Sequence, residues 1–240
     1  MERLQKVIAT YGYASRRAAE KLILDKKVKV NGELVTELGV KVNATDLITI
    51  NGKAINKEII KKYFLLNKPR KVVSSVSDEV GRITVVDLIN TSERIYPIGR
   101  LDYDTTGIIL LTNDGEFANY LMHPSNEIRK TYIAKLEGVI NKEAIDKLKK
   151  GVYINEQKVA MHNFKVRKKD NVKNTTLIEV TISEGRNHIV KKMFEKLGFP
   201  VMKLTRTVYG ELNLGNLQSG EYRELSIKEV KNFYKNKSSL

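Results

Sequence analysis

The sequence predicts an α+β fold in two parts, residues 1–60 and residues 61–240. Two observations support this fold class. Short apolar segments of strand length outnumber amphipathic helical segments and interleave with them, as in α+β domains. Hydrophobic residues make up 41% of the chain, enough for a packed core. A short polar stretch, residues 56–62 (NKEIIKK), separates the parts and is predicted to be a linker.

The first part is predicted to contain two short helices and a few short strands. Apolar residues recur at helical spacing over residues 3–11, and Gly12 ends that helix. Ser15 is placed to cap a second helix. The segments VKVNGELV (28–35) and LITINGKAI (47–55) each contain Asn-Gly; the first predicts a hairpin and the second a further strand. A unit of this size is feasible as a small domain.

The second part is predicted to contain many strands and three clear helices. The strands are YFLLNKP (63–69), GIILLTND (107–114), KTYIAKLEGV (130–139), TLIEVTI (176–182) and VMKLTRTVYGEL (201–212). The helices are EFANYLMH (116–123), KEAIDKLKKGV (142–152) and HIVKKMFEKLG (188–198). The segment ITVVDLI (83–89) fits either a strand or a short helix, and VVSSVSD (72–78) alternates only partly.

Charge and composition limit the function classes. The net charge is +15, of which residues 1–60 carry +4 and residues 61–240 carry +11, so basicity is not confined to a tail. Such an excess favours RNA or DNA as a partner. Without cysteine, and with three widely spaced histidines, a structural metal site is not expected. We find neither a membrane-spanning segment nor a signal peptide, and we expect a cytoplasmic protein.

Three cations lie on the second predicted helix, namely Arg16, Arg17 and Lys21. They sit within a segment, RLQKVIATYGYASRRAAEKLILDKKVKVNGELVTELGVKVNATDLITING, that closely resembles an S4 RNA-binding domain over nearly its whole length. The resemblance implies that this part binds structured RNA. It also implies that the three cations contact phosphates, which position an RNA without specifying its sequence.

The stretch GRLDYDTTGIILLTNDG (99–115) contains two carboxylates, Asp102 and Asp104, and has three interpretations. An Asp-x-Asp-Thr-Thr-Gly sequence is common in turns, with Gly107 at positive φ. Asp-x-Asp-x-Thr is also the nucleophile motif of haloacid-dehalogenase-like phosphatases, but Pro97 and Gly99 interrupt the strand that normally precedes it. The third interpretation depends on the rest of the chain.

That third interpretation is a pseudouridine synthase of the RsuA/RluB branch, in which an S4 domain precedes the catalytic domain. The chain resembles this family at several motifs in the expected order: LNKP (66–69), GRLDYDTTG, EIRKTYIAKLEG (127–138), EGRNHIVKKMFEKLG (184–198) and SGEYREL (219–225). The resemblance implies isomerisation of a uridine in ribosomal RNA without a cofactor, in a cleft on an antiparallel or mixed sheet. Segments such as YFLLNKP and RIYPIGRLDYDTTG are most similar to those of RluB-like enzymes, which act on large-subunit RNA.

Two alternatives stay open at this point. A small-subunit target is compatible with the same motifs, because the branch largely shares them. A non-catalytic RNA-binding factor for ribosome assembly is the alternative from another class. We expect a monomer, acting on naked ribosomal RNA or on a pre-ribosomal particle.

The resemblance assigns roles to several residues. Asp102 matches the catalytic carboxylate, while Asp104 does not and is assigned a turn or solvated role. Arg100 resembles the arginine that fills the gap left by a flipped base. Tyr132 matches the tyrosine that stacks on that base, and Lys191 matches the basic partner of the aspartate, which keeps it ionised.

Other positions receive weaker assignments. We expect RNA contacts from Arg186, His188 and Lys192, and a pocket wall from Ile133 or Leu204. Arg206 and Arg223 lie in segments similar to the C-terminal motifs, with structural pairing to acids as the alternative. The chain departs from the family pattern at Ile189, where glutamine is usual, and at Lys71, where glycine is usual. Neither departure affects the residues with catalytic roles.

Overall fold

The computed structural model describes residues 1–55 and 59–235, so part of the predicted linker, residues 56–58, lies outside the described residues. The other linker residues, 59–62, have no regular secondary structure. Within the described part of the chain, no helix is both long enough and apolar enough to cross a membrane.

The chain divides into two compact units. The first consists of Met1–Lys62 with two short later segments, Thr91–Ile95 and Asn113–Gly115. The second consists of Tyr63–Asn90, Tyr96–Thr112 and Glu116–Leu240. Because later segments join the first unit, a simple boundary after residue 60 stays a prediction.

The first unit is a small α+β unit around one apolar core. Its elements are β1 Glu2–Arg3, α1 Leu4–Thr10, α2 Arg16–Leu24, β2 Val28–Val30, β3 Glu33–Leu34, β4 Lys41–Val42, β5 Ile48–Ile50 and β6 Lys53–Ala54. An antiparallel sheet has the order β3-β2-β5-β6, and β1 pairs with β4. Leu4 and Ile8 of α1 and Ile23 of α2 pack into the core with Ile48 and Ile50.

Local sequence signals explain these elements. The Ser15 hydroxyl accepts a hydrogen bond from the backbone amide of Ala18 at 3.1 Å, so the predicted cap of α2 is confirmed. Asn31 and Gly32 both have positive φ, 52° and 90°, as a two-residue hairpin turn requires. The second Asn-Gly pair joins β5 to β6 in the same way, with both residues again at positive φ.

The second unit contains the remaining elements. They are β7 Tyr63–Lys68, β8 Tyr96–Ile98, β9 Thr106–Thr112, α3 Gly115–Met122, β10 Lys130–Glu137, α4 Lys142–Lys150, β11 Tyr153–Ile154, β12 Gln157–Lys158, β13 Met161–Asp170, β14 Thr175–Ile182, α5 Ile189–Lys196, β15 Val201–Tyr209, β16 Leu212–Asn213, β17 Tyr222–Glu224 and α6 Ile227–Lys235. The three predicted helices and the five predicted strands are all present.

Nine of the described strands form one mixed sheet, as predicted. Seven follow the order β13-β14-β10-β15-β9-β7-β17, while β8 also pairs with β9 and β16 with β15. Only β9 and β15 run parallel among the described pairs, with Arg206 opposite Gly107. A Cβ atom on Gly107 would lie 2.1 Å from the carbonyl oxygen of Arg206, so only glycine permits this pairing. The apolar run Ile108–Leu111 is buried at the centre of the sheet.

The segment ITVVDLI is neither a strand nor a helix, which corrects the sequence interpretation. Thr84 forms one isolated bridge to Val73, and the following residues are turns. The carboxylate of Asp87 accepts hydrogen bonds from the amide and the hydroxyl of Thr84, at 2.8 and 2.9 Å. These side-chain bonds replace the backbone ladder that a strand would need.

Helix α6 was not predicted, although the sequence carries a signal for it. The hydroxyl of Ser226 accepts from the amide of Glu229 at 3.3 Å, and the Glu229 carboxylate accepts from the amide of Ser226 at 2.8 Å. Ser-x-x-Glu ahead of an apolar stripe is a capping box. Val230 and Phe233 then bury the apolar face of the helix.

Candidate active site

The predicted catalytic stretch forms a loop between β8 and β9, held by a buried lysine. Lys68 is completely buried at the end of β7, and its ammonium donates to three carbonyl oxygens. These are the oxygens of Pro69, Asp102 and Thr105, at 3.0, 3.1 and 3.0 Å. Burial lowers the pKa of Lys68 to about 8, against the opposing charges of Asp102 and Asp104. One side chain therefore fixes both ends of the loop that carries Asp102.

A second set of contacts fixes the same loop from another side. The Ser74 hydroxyl donates to the carbonyl oxygen of Leu101 at 2.7 Å and accepts from its amide at 3.1 Å. Lys71, at the glycine position of the family pattern, has a φ of 62° and donates its amide to the carbonyl oxygen of Tyr103. The loop thus keeps the left-handed bend despite the lysine, which costs on the order of 1 kcal/mol.

The Asp102 carboxylate is in contact with three polar side chains. The Lys191 ammonium lies 2.8 Å from Oδ2, and His188 Nε2 lies 3.1 Å from Oδ1. The Thr105 hydroxyl also donates to Oδ2, at 3.3 Å. His188 and Lys191 come from the start of α5, where His188 adopts a φ of 55°. The predicted pairing of Lys191 with Asp102 is thus present in the geometry.

Asp104 shares Lys191 with Asp102, which the sequence interpretation did not anticipate. Its Oδ1 accepts from the same ammonium at 2.8 Å. Burial lowers the pKa of Lys191, but its bonds to the two carboxylates outweigh this effect and raise the pKa overall. The hydrogen bond from Lys191 in turn lowers the pKa of Asp104. Asp104 is therefore part of the charge network rather than a purely solvated turn residue.

Tyr132 and Arg206 lie opposite one another on the neighbouring strands β10 and β15. Both are buried, at 8% and 4% exposure. The Arg206 Nη1 donates to the Tyr132 hydroxyl at 3.4 Å, and its Nε donates to the carbonyl oxygen of Ile108 at 2.7 Å. Sequence reasoning considered a pairing of Arg206 with an acid. Its partners are instead a carbonyl and a phenol.

These side chains meet around one cavity of about 750 Å³. Asp102, Tyr132 and Arg206 line it together with Arg100, Lys130 and Leu204. The cavity is large enough for a nucleotide. It brings together a carboxylate, an aromatic ring and several cations, which suits a reaction on an anionic, base-bearing polymer.

Comparison with known proteins identifies the family. Residues 62–196 match the family described as RNA pseudouridylate synthase, and residues 2–48 match the S4 domain. The chain belongs to the RNA pseudouridylate synthase family. It is 55% identical over 232 residues to ribosomal large subunit pseudouridine synthase B of Bacillus subtilis, covering 96% of this chain and 95% of that protein.

Two further relatives agree with this family. The protein of the same name from Pseudomonas aeruginosa is 35% identical over 236 residues, covering 95% of this chain and 61% of that protein. A crystal structure of a pseudouridylate synthase superposes with a TM-score of 0.67 at 31% identity, covering 97% of this chain and all of that one. The S4 and pseudouridine synthase resemblances are thus confirmed, and the phosphatase interpretation of the Asp-x-Asp motif is wrong.

In this pseudouridine synthase, most of the site residues predicted for the second unit lie at the cavity or at its edge. Arg100 is exposed, lines the cavity and makes no hydrogen bond or ion pair within the described residues. Lys192 is exposed on α5. Arg186 lines the cavity, but its guanidinium is bonded to Glu184 and to the carbonyl oxygen of Ile154. Protein groups therefore already occupy much of its donor capacity, and its predicted RNA contact stays a prediction.

The structure also shows where the residues with weaker assignments lie. Leu204 lines the cavity, whereas Ile133 points to the opposite face of β10 from Tyr132 because adjacent residues of a strand alternate. Ile189, at the usual glutamine position, is buried and lines the cavity with its apolar side chain. Arg223 forms an ion pair with Glu229 at 2.7 Å, which is the structural pairing with an acid that the sequence left as the alternative.

In the first unit, Arg16, Arg17 and Lys21 are all exposed on α2. None of them forms a hydrogen bond or ion pair with another described side chain. Three unpaired cations within two turns give this helix a positive surface. Such a surface suits phosphate contacts, which is the role that the S4 resemblance implies.

Proposed function

We propose that this protein converts one uridine of large-subunit ribosomal RNA into pseudouridine, with Asp102 as the catalytic carboxylate. The observation that carries the proposal is the position of Asp102, in the cavity and bonded to both Lys191 and His188. The choice of RNA is supported by the names of the relatives from Bacillus subtilis and Pseudomonas aeruginosa.

The reaction breaks the N1–C1′ bond, turns the base and joins C5 to C1′. No atom or electron is exchanged with a cofactor, so the enzyme supplies only a carboxylate, a clamp for the base and a proton acceptor. Two routes fit Asp102: attack on C1′, or removal of the 2′ proton. Both use the Asp102 carboxylate, whose Oδ2 lies 2.8 Å from the Lys191 ammonium.

The other groups have roles in holding the nucleotide. Tyr132 stacks on the base and accepts the C5 proton. Arg100, exposed and without a protein partner in the described part of the chain, fills the gap in the RNA after the base flips. Arg16, Arg17 and Lys21 hold the RNA through phosphates, aided by the net charge of +15. His188 contributes to the charge network of Asp102, and Lys192 to RNA binding.

The remaining parts of the proposal concern partners and place. We propose a monomer that acts in the cytoplasm, because an enzyme must share a compartment with the ribosomal RNA that it modifies. Its substrate is either naked RNA or a pre-ribosomal particle, and a small-subunit RNA is the alternative target. No cofactor is part of the proposed reaction.

Pseudouridine mapping tests the proposal directly. Ribosomal RNA is compared between cells with the gene, cells without it, and deleted cells that express wild type or Asp102→Asn. We expect one large-subunit site to disappear on deletion and to return only with the wild type. Since asparagine keeps the shape but not the charge, RNA affinity should stay within a few fold.

Other results would change the proposal in defined ways. A lost small-subunit site would transfer the function to the other subunit. Restoration by Asp102→Asn would remove Asp102 from the mechanism. An unchanged map in cells where the protein still crosslinks to ribosomal RNA would support a binding factor for ribosome assembly instead of an enzyme.

A further inference from the structure

Two cations of the cavity have no acidic partner. Arg206 and Lys130 flank the ring of Tyr209, with the guanidinium carbon and the ammonium nitrogen 5.0 and 5.6 Å from its centroid. Neither forms an ion pair with a carboxylate within the part of the chain that the structure describes. Glu184 acts on the charge of Lys130 only at longer range. Part of the cavity wall therefore carries uncompensated positive charge.

Arg206 is also incompletely hydrogen-bonded. Its Nε and Nη1 have partners, the carbonyl oxygen of Ile108 and the hydroxyl of Tyr132. Its Nη2 is buried and has no partner among the described residues. A buried charged donor without an acceptor destabilises a fold, so such a group is expected where a ligand supplies the acceptor. The hydrogen bonds of the other two nitrogens to Ile108 and Tyr132 hold the planar guanidinium in one orientation, so the position of Nη2 is fixed as well.

The position of Arg206 points to the base of the nucleotide rather than to a phosphate. The guanidinium lies at the hydroxyl end of Tyr132, whose ring we have proposed as the stacking surface for the base. Phosphates of a continuous RNA strand must stay connected to the chain outside the cavity. A flipped base is the part of the nucleotide that enters such a pocket, and Arg206, at 4% exposure, is one of the residues that line it.

We propose that Arg206 Nη2 donates a hydrogen bond to a carbonyl oxygen, O2 or O4, of the target uracil, with Lys130 adding positive charge beside it. This inference rests on the proposed function. When the N1–C1′ bond breaks, its electron pair stays on N1, and the negative charge is shared with O2, O4 and C5. At C1′, either a bond to Asp102 replaces the broken bond, or Asp102 takes the 2′ proton and a C1′–C2′ double bond forms. When C5 then bonds to C1′, the Asp102–C1′ bond breaks in the first route, and the 2′ proton returns from Asp102 to C2′ in the second. In both routes a base removes the C5 proton and N1 takes up a proton.

The contact is strongest while the base is an anion. A fixed, buried donor next to the oxygen that gains charge stabilises the transition state for bond cleavage more than the bound uridine. The same donor disfavours cytosine if the contact is to O4, because cytosine presents an amino group there and two donors would face each other. Arg206 is thereby assigned to the rate, and a contact to O4 would assign it to base selection as well.

Atom substitution in the RNA tests the contact. The substrate is a synthetic RNA around the mapped uridine, with the target as uridine, 2-thiouridine or 4-thiouridine, and single-turnover rates are measured at saturating enzyme. Sulfur is a weak hydrogen-bond acceptor. In the wild type, sulfur at the contacted position should slow the reaction. In Arg206→Gln we expect a loss of about 100-fold on uridine and little further loss with sulfur. The intrinsic effect of sulfur cancels when the two enzymes are compared.

Three results would overturn the inference. One is a loss of less than about threefold in Arg206→Gln. Another is an equal effect of sulfur in both enzymes at both positions. The third is weaker RNA binding with a salt slope reduced by roughly one, which would assign Arg206 to a phosphate.

Controls separate a fold defect from a lost contact. Arg167→Gln makes the same change at an exposed arginine of β13, outside the cavity. Arg167 is paired with Glu179 of β14, and the variant should keep the rate.

If Arg206→Gln does not fold, Arg206→Lys, which keeps the charge, is compared with the wild type on the same three RNAs. If neither folds, the wild type decides, since indifference to sulfur at both positions overturns the contact. An inactive wild type would refute the proposed function itself, whereas an unaffected Arg206→Gln on an RNA that wild type modifies refutes only this inference.

Discussion

Lys68 and Arg206 are both nearly inaccessible to solvent in the second unit, at 0% and 4% exposure. Neither is paired with a carboxylate at hydrogen-bond distance among the residues that the structure describes. The fold treats them differently. The three protons of the Lys68 ammonium go to three carbonyl oxygens of the catalytic loop. Arg206 binds one carbonyl and one phenol and keeps a buried nitrogen without a partner in the described residues.

The number of bonded protons distinguishes cations that stabilise the site from cations that are available to bind a ligand. A buried cation with all its protons bonded is part of the structure, because removing it exposes several acceptors at once. A buried cation with a free donor in a cavity is incomplete until something binds. Lys191 lies between the two cases, since it is partly exposed and is bonded to two carboxylates, whereas Lys130 has no carboxylate partner among the described residues and resembles Arg206.

Replacement of Lys68 should have the largest effect. Lys68→Met leaves three buried carbonyl oxygens without a donor, and we expect the free energy of unfolding to fall by about 3–5 kcal/mol. The loop that carries Asp102 loses its shared anchor, so pseudouridine formation should also fall by at least about 100-fold. Denaturant unfolding and single-turnover rates measure the two effects.

The matched control for this change is Lys165→Met. Lys165 is exposed on β13 and makes no side-chain bond within the described residues. It should keep both stability and rate. If Lys68→Met were as stable as this control, the three carbonyl oxygens would have other partners and the contrast with Arg206 would lose its basis.

The alkaline range tests the charge of Lys130, provided that the variant and the wild type are compared at each pH. Burial, and then the charge of Arg206, lower the pKa of Lys130 to about 8, while Glu184 opposes them. The charge beside the base is therefore lost as the pH rises through about 8. Lys130→Arg keeps that charge, so the ratio of variant to wild-type rates should rise as the pH passes through about 8.

The ratio is the quantity to follow, because Lys68 and the uracil itself also titrate at alkaline pH in both enzymes. A constant ratio between pH 7 and 9.5 would show that the charge of Lys130 has no part in the reaction. Stability should respond in the opposite direction. Since the unfolded lysine binds its proton more tightly, at its ordinary pKa of 10.5, Lys130 makes the fold more stable as the pH rises from about 8.

The sequence was most informative where a role depends on nearby residues. Ser15 and the Asn-Gly pairs act within a few positions of themselves, and the turns and cap formed as predicted. The Asp102 motif was likewise recognisable as one continuous stretch. The Ser226-to-Glu229 capping box is equally local, and its Ser-x-x-Glu pattern stands in the sequence directly ahead of the apolar stripe of α6.

The partners of Arg206 depend instead on the arrangement of distant strands. Its guanidinium reaches Ile108 and Tyr132 because β15 lies between β9 and β10 in the sheet. Nothing in the residues around Arg206 specifies this order, so pairing with an acid was a reasonable alternative. Asp104 and Lys191 are likewise 87 positions apart and meet only in the folded chain.

Asp104 provides the smallest and most selective test. Its carboxylate is half exposed, and it shares Lys191 with Asp102. In Asp104→Asn the lysine keeps one carboxylate instead of two, so its position beside Asp102 is less restricted. We expect the single-turnover rate to fall by roughly threefold to tenfold, with unchanged stability within about 0.5 kcal/mol.

A double-mutant cycle determines whether Asp104 acts through Lys191. If it does, adding Asp104→Asn to Lys191→Met should cause no further loss of rate, because the side chain that it positions is already absent. Asp146→Asn, an exposed aspartate of α4 near Lys149, controls for the loss of one negative charge. Independent, additive losses in the cycle would mean that Asp104 acts on the RNA or the loop directly. In that case the comparison with Arg206 would depend on Lys68 and its three carbonyl oxygens alone.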